Sequence, residues 1–190
     1  MKYLSMDELK LMLRAIPEEK SWQRLMFLVA FWHGLRVSEL VGRQRGGQGP
    51  YGLKGKDIQH GYVDVRRLKG SDHTVQPFVF HPDSELDEGT ELMKLAGRIG
   101  PEEPVFPISV RGVQYIMSEI MTRSGLNRKK MHPHVLKHTH AMQAIKAGIG
   151  IETVRSTLGH KSLASTGFYT RIPQDDAMKS VAHAIGGGKA

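Results

Sequence analysis

"LMFLVAFWHGLRVSEL", residues 25 to 40, holds the longest apolar run of the chain and then breaks it with a histidine, a glycine and an arginine. Trp22, Leu25, Met26, Val29 and Trp32 recur at helical spacing, and Phe27, Leu28 and Phe31 widen that stripe nearly all the way round. A helix that is apolar on every side belongs in the middle of a core, so the rest of the fold is expected to pack around residues 18 to 33. Gly34 interrupts it, which leaves Arg36 near a bend before a shorter helix built on Val37-Ser38-Glu39-Leu40-Val41. Such an arginine is either a structural partner of Glu39 or a group held ready for a negative charge.

The surrounding segments read as one domain. Ser5 followed three residues later by Glu8 opens a first helix from Met6 to Ala15. "YVDVRRLKG" and "HTVQPFVF" are β-rich runs separated by Gly70, Ser71 and Asp72, which predicts a hairpin with Lys69 at its tip. Helical spacing returns over Ser84 to Ile99 and over Val110 to Ser124. Pro133 suits the first turn of a further helix stopped at Gly148, and "IETVRSTLGH" is a shorter one ended at Gly159. A last helical segment is expected from Gln174 to Ile185, before a flexible "GGGKA" end. The fold class is therefore α+β, mainly α-helical with a small antiparallel β-sheet. The glycine-rich stretch 43–52 reads as a basic surface loop.

Composition narrows the function. The chain has 190 residues with 27 Lys and Arg against 19 Asp and Glu, a net charge of +8 that favours a polyanionic partner. It has no cysteine, so disulfides, thiolate metal sites and cysteine nucleophiles are excluded. The apolar run is far shorter than a membrane span, and the first residues lack a signal-like apolar region. A cytoplasmic protein with no membrane partner is expected.

"HPHVLKHTHA", residues 132 to 141, is the densest cluster of chemistry. His134 and His138, one helical turn apart, have the spacing of a zinc pair, but no cysteine or glutamate completes the set and Lys137 would repel the ion. No metal and no cofactor are expected. An anion fits better, because His134 and Lys137 at i and i+3 offer an imidazole and an ammonium to one phosphate. His138 and His140 read equally well as packing groups.

Order along the chain is more informative than any single residue. Gly34-Leu35-Arg36-Val37-Ser38-Glu39-Leu40, a hairpin carrying Lys69, His134 with Lys137 and His138, then Leu158-Gly159-His160-Lys161-Ser162 and Tyr169 follow one another. This succession resembles the catalytic domain of the tyrosine recombinases, the phage-integrase family, over about residues 3 to 172. "FWHGLRVSEL", "VDVRRLKG" and "HPHVLKH" are most similar to its short, fimbrial-switch-type members. The resemblance implies the recombinase catalytic fold over 1–173 and a C-terminal tail, 174–190, that docks on a neighbouring protomer or on its own subunit. It implies that Tyr169 attacks a DNA phosphate to leave a 3′-phosphotyrosyl link, with Arg36, His134, Lys137 and His160 around the phosphate. Lys69 would protonate the departing 5′-oxygen. Glu39 and His138 would support these groups, while Arg43, Arg45, Arg67 and Lys161 would contact DNA.

One departure from the family pattern is Lys137, which stands where a second arginine is usual and keeps the charge without the bidentate fork. Another is the start of the chain, which resembles the opening of the catalytic domain itself, without the DNA-clamping domain many relatives carry. The implied partners are double-stranded DNA with specific recombination sites and further copies of the chain, a monomer when free and a tetramer on DNA. A bacterial, phage or other mobile-element origin and association with the nucleoid go with that reading. A non-catalytic DNA-binding derivative and a type IB topoisomerase-like enzyme are the rival readings.

Overall fold

The computed structural model describes residues 3–41, 52–68, 71–126, 132 and 134–159. Helix α1, Met6–Arg14, begins with the expected capping box: Ser5 Oγ accepts the Glu8 N–H at 3.1 Å and the Glu8 carboxylate accepts the Ser5 N–H at 2.8 Å. Leu9, Met12 and Leu13 form its buried face. The central helix α2 is Ser21–Trp32, preceded by a tight 3-10 turn at Glu18–Lys20, so it starts later than its apolar spacing suggested. Every residue from Leu25 to Phe31 is buried, as an all-round apolar helix requires.

The end of α2 is set by Gly34. Its N–H donates to the Phe31 carbonyl at 3.2 Å and the Leu35 N–H donates to the Ala30 carbonyl at 3.0 Å, the paired bonds of a Schellman stop. Gly34 has a φ of +56°, which a side chain would oppose, and a Cβ there would lie 2.5 Å from Leu158 Cδ2. The turn redirects the chain so that Arg36 becomes the N-cap of the short helix α3, Val37–Leu40.

The hairpin pairs β1, Tyr62–Val65, antiparallel with β2, Thr74–Pro77, in the register Val65 opposite Thr74 and Tyr62 opposite Pro77. Val63 and Val65 point into the core at 0% and 1% exposure. Helix α4, Gly89–Ala96, is shorter than the expected span from 84 to 99. Its start is delayed because the Asp87 carboxylate takes the Gly89 N–H at 3.1 Å and the Thr90 hydroxyl at 2.5 Å, while Glu88 turns into the interior. Helix α5, Val110–Arg123, is capped by Ser109, whose Oγ accepts the Gly112 N–H at 3.0 Å.

Helices α6, Val135–Lys146, and α7, Ile151–Thr157, complete the described architecture. α6 packs along α2 and buries Val135, Leu136, Ala141 and Met142, the last two against Val154 and Leu158 of the α7 region. Thr139 of α6 accepts the Leu4 N–H at 3.0 Å and Gln143 donates to the Leu4 carbonyl at 2.9 Å, which ties the segment before α1 to this helix. Among the described residues no helix is long and apolar enough to cross a membrane. The observed class is α+β, mostly helical with one small two-stranded antiparallel sheet, as expected. Pro133, most of the loop 43–52 and the expected helix at 174–185 lie outside the described residues.

Gly34→Ala should lower unfolding free energy by about 1 to 3 kcal/mol, because the added Cβ meets both a disfavoured φ and the Leu158 side chain. A urea melt in which the midpoint does not move would contradict this account of the bend.

Candidate active site

Two separate segments meet at the Glu39 carboxylate, whose side chain is fully buried. One oxygen accepts Arg36 Nη1 at 2.5 Å and the Leu68 N–H at 3.0 Å. The other accepts the Arg36 N–H at 2.8 Å and Arg67 Nη1 at 3.3 Å. Burial alone would raise this carboxyl. The Leu68 and Arg36 N–H groups, with Lys137 and Arg67 nearby, outweigh it and hold Glu39 below the usual carboxylate range.

Arg67 requires a correction. It was expected at the DNA surface, yet its side chain is 0% exposed. Its guanidinium donates to Thr74 Oγ1 at 3.0 Å, to the Gly34 carbonyl at 3.1 Å, to the His33 carbonyl at 2.8 Å and to the Thr157 carbonyl at 2.7 Å, besides Glu39. With these donors committed inside the protein, Arg67 braces the bend, the hairpin and the end of α7 against one another. The signal was in the alternation: Val63, Val65 and Arg67 share the inward side of one extended run.

Arg36 combines both readings open at the outset. It pairs with Glu39, but its side chain keeps 16% exposure, and its other contacts, to the Leu68 carbonyl at 3.4 Å and Ser71 Oγ at 3.5 Å, are long. Leu68 and Ser71 flank position 69 in sequence, so the shoulders of the hairpin loop stand beside this guanidinium. Lys137 enters from α6, buried at 5% exposure, with Nζ 3.4 Å from the Leu158 carbonyl. Burial first, then Arg67 and Arg36, push its ammonium down to about 7 against the opposing pull of Glu39.

His134 is the N-cap of α6 and is exposed. His138 is half-buried with its ring edge-on to His132 at 6.1 Å, and burial, then His132, His134 and Lys137, push it down to about 4. His140 packs under the bend, with Nε2 3.3 Å from Thr157 Oγ1, and is likewise pushed to about 4 by burial, then His33, Lys137 and Arg67. Lys69, Arg43, Arg45, His160, Lys161 and Tyr169 lie outside the described residues. The last described residue before His160 is Gly159, with a φ of +67°, whose carbonyl accepts the Asp72 N–H at 2.9 Å. A Cβ on Gly159 would lie 2.6 Å from the Asp72 carbonyl oxygen, so the end of α7 and the hairpin loop touch backbone to backbone.

A second buried polar chain supports the first and was not anticipated. His33 contacts Glu88 Oε1 through Nε2 at 2.7 Å and Gln76 Oε1 through Nδ1 at 2.9 Å, and Gln76 donates to the Thr157 carbonyl at 2.8 Å. It joins α4, β2 and α7 directly behind the bend. A cleft of about 420 Å³ between α2 and α4, lined by Trp22, Arg24, Leu28, Lys94 and Phe106, includes none of the candidate residues. The arrangement suited to chemistry is thus a cationic cradle in which Arg36, partly open to solvent, and the buried Lys137 feel one another's charge, with Glu39 and Arg67 packed beside them. Paired cations of this kind suit a negatively charged group better than an apolar one.

Residues 2–175 match the model of the phage integrase family. Among curated proteins, the tyrosine recombinase XerC of Listeria monocytogenes serotype 4b (strain F2365) is 28% identical, over 92% of this chain and 59% of its own length. The tyrosine recombinase XerA of Pyrococcus furiosus is 31% identical, over 96% of this chain and 62% of its own. The chain thus spans about three fifths of the curated relatives it matches. Among solved structures, a lambda integrase dimer bound to a COC′ core site superposes with a TM-score of 0.64 at 23% identity, covering 88% of this chain and 58% of that one. That likeness is one of fold.

Glu39→Ala should cost about 3 to 5 kcal/mol, more than Arg36→Ala, because it strands the Arg67 charge in the interior. Equal losses in urea denaturation would show that Glu39 is not the hub. His138 and His140 have folded values of about 4 against an ordinary 6.5, so the unfolded state binds more protons between those limits. Stability present above about pH 6.5 should decline as pH falls toward about 4. His140→Gln should reduce the slope of that decline by about half across the whole window in melts recorded against pH.

Proposed function

Because the chain belongs to the phage integrase family, we propose that it cuts and rejoins double-stranded DNA at specific sites through a covalent tyrosyl intermediate. The observation that carries this reading is the cradle itself: Arg36 and Lys137, delivered by α3 and α6, stand together with Glu39 and Arg67 behind them. Paired cations of this kind suit a phosphodiester whose charge grows as a fifth oxygen approaches phosphorus.

In the proposed reaction the Tyr169 oxygen attacks the phosphorus, and the bond to the 5′-oxygen of the next nucleotide breaks. Lys69 gives that oxygen its proton, leaving a free 5′-hydroxyl and a 3′-phosphotyrosyl link. His134 and His160 donate hydrogen bonds to the non-bridging oxygens or carry the phenolic proton away. Arg36 meets the same oxygens with its fork, while Glu39 fixes the position of that fork. Attack by a 5′-hydroxyl on the phosphotyrosine reverses the step and seals the strand, so bond energy is kept and no nucleotide cofactor is needed. Arg43, Arg45 and Lys161 contribute phosphate contacts, and strand exchange between two sites calls for several copies of the chain on DNA, with residues 174–190 as a contact between them. A cytoplasmic, nucleoid-associated location follows from the substrate.

A nicked suicide duplex containing the recombination site separates this reading from its rivals. Wild-type protein should form a protein–DNA adduct stable to detergent, Tyr169→Phe should form none while still shifting the duplex in a gel, and Arg36→Ala should slow adduct formation by about 10²- to 10³-fold. An adduct from the phenylalanine variant would refute the nucleophile. Relaxation of supercoils by a monomer, with no pairing of sites, would favour a topoisomerase instead.

A further inference from the structure

Among the described residues, Lys137 is a buried cation without a counterion of its own. It is the third residue of α6, inside the first turn, where unpaired N–H groups and the helix dipole oppose positive charge. Its one hydrogen-bond acceptor among the described residues is the Leu158 carbonyl at 3.4 Å, and only 5% of the residue is exposed.

The groups around it do not offset this. Arg36 from the N-cap of α3 and Arg67 from the hairpin bring two positive charges, and Glu39 brings one negative charge already engaged by four N–H donors. On its own helix the neighbouring titratable groups are His134, His138 and His140, of which the last two are neutral at physiological pH. His33 of α2 lies behind His140, hydrogen-bonded to Glu88 and Gln76. The outcome is an amine whose proton is held with a value of about 7 rather than 10.5. An arginine here would stay charged under any such pressure, so lysine is the cation that makes exchange possible.

A DNA phosphate meeting the exposed part of Arg36 would reverse the balance by adding negative charge near the lysine. We propose that Lys137 is the proton-exchanging cation of this site, a neutral amine while the cradle is empty above neutral pH and an ammonium once a phosphodiester enters. Each occupied site then draws one proton from the buffer, and that proton completes an ammonium–phosphate pair. The inference rests on the DNA-cleaving reading above. It goes further by making affinity depend on pH through one side chain. Below about pH 7 Lys137 is already protonated and binding is insensitive to pH; above it, affinity falls by up to about tenfold per pH unit until the bound lysine itself titrates.

Calorimetric titration of the full chain with mixed-sequence duplex DNA, in two buffers of different ionisation enthalpy, measures this uptake. Wild type should take up about 0.9 proton per site more than Lys137→Arg at pH 8, and about 0.1 more at pH 6. Equal uptake by both proteins, with binding intact, overturns the inference and leaves the recombinase reading standing. No binding of DNA by wild type overturns that reading and the inference together. Should the arginine variant fail to fold, NMR titration of lysine Nζ signals in wild type decides. A resonance with a midpoint near 7 that moves upward on adding duplex supports the assignment, and no lysine midpoint below about 9 in the free protein refutes it.

Discussion

The hydrogen bonds converging on Glu39 are the constraint on which the site depends. A carboxylate with no exposure is costly unless its oxygens are satisfied, and here two arginines and two backbone N–H groups satisfy it from two distant stretches of chain. Geometry follows from that saturation. The bend after α2, the start of α3 and the end of β1 cannot shift independently without exposing a buried charge, so Arg36 is held at a fixed place above the interior. Arg67 extends the constraint to α7 by donating to the Thr157 carbonyl. Two buried guanidinium–carboxylate contacts are thereby used for positioning, a role in which ion pairs inside proteins serve better than they do as sources of net stability.

The two arginines divide the labour between them. Arg67 gives its donors to carbonyls at the ends of α2 and α7, where helices leave carbonyls without intrahelical partners. Arg36 keeps only its Glu39 contact short and leaves the rest of its fork available. Lys137 adds a further cation from α6, at a helix start that already favours anions.

How much of this was legible in the sequence depended on whether the signal was local. The capping box at Ser5 and Glu8, the all-round apolar helix ending at Gly34 and the hairpin between Tyr62 and Pro77 are written in neighbouring residues, and they form where expected. The start of α4 was misplaced because Asp87 competes for the N–H groups of Gly89 and Thr90, a choice that spacing does not display. Arg67 was read as a surface cation because basic residues usually are. Its burial depends on acceptors at positions 33, 34, 39 and 157, which only the tertiary fold gathers. The His33, Glu88 and Gln76 chain was hidden for the same reason.

The tie between residues 3–4 and α6 has a mechanical consequence. Tyr3 lies under the Lys146 ammonium at 5.3 Å, while Leu4 gives its N–H to Thr139 and takes the Gln143 amide, so three successive turns of one helix grip a short extended segment. Thr139 in turn donates to the Val135 carbonyl in the first turn, next to Lys137. Tension applied along that segment would therefore be delivered to α6 as a lever acting two residues from the lysine, rather than being absorbed by slack in the backbone.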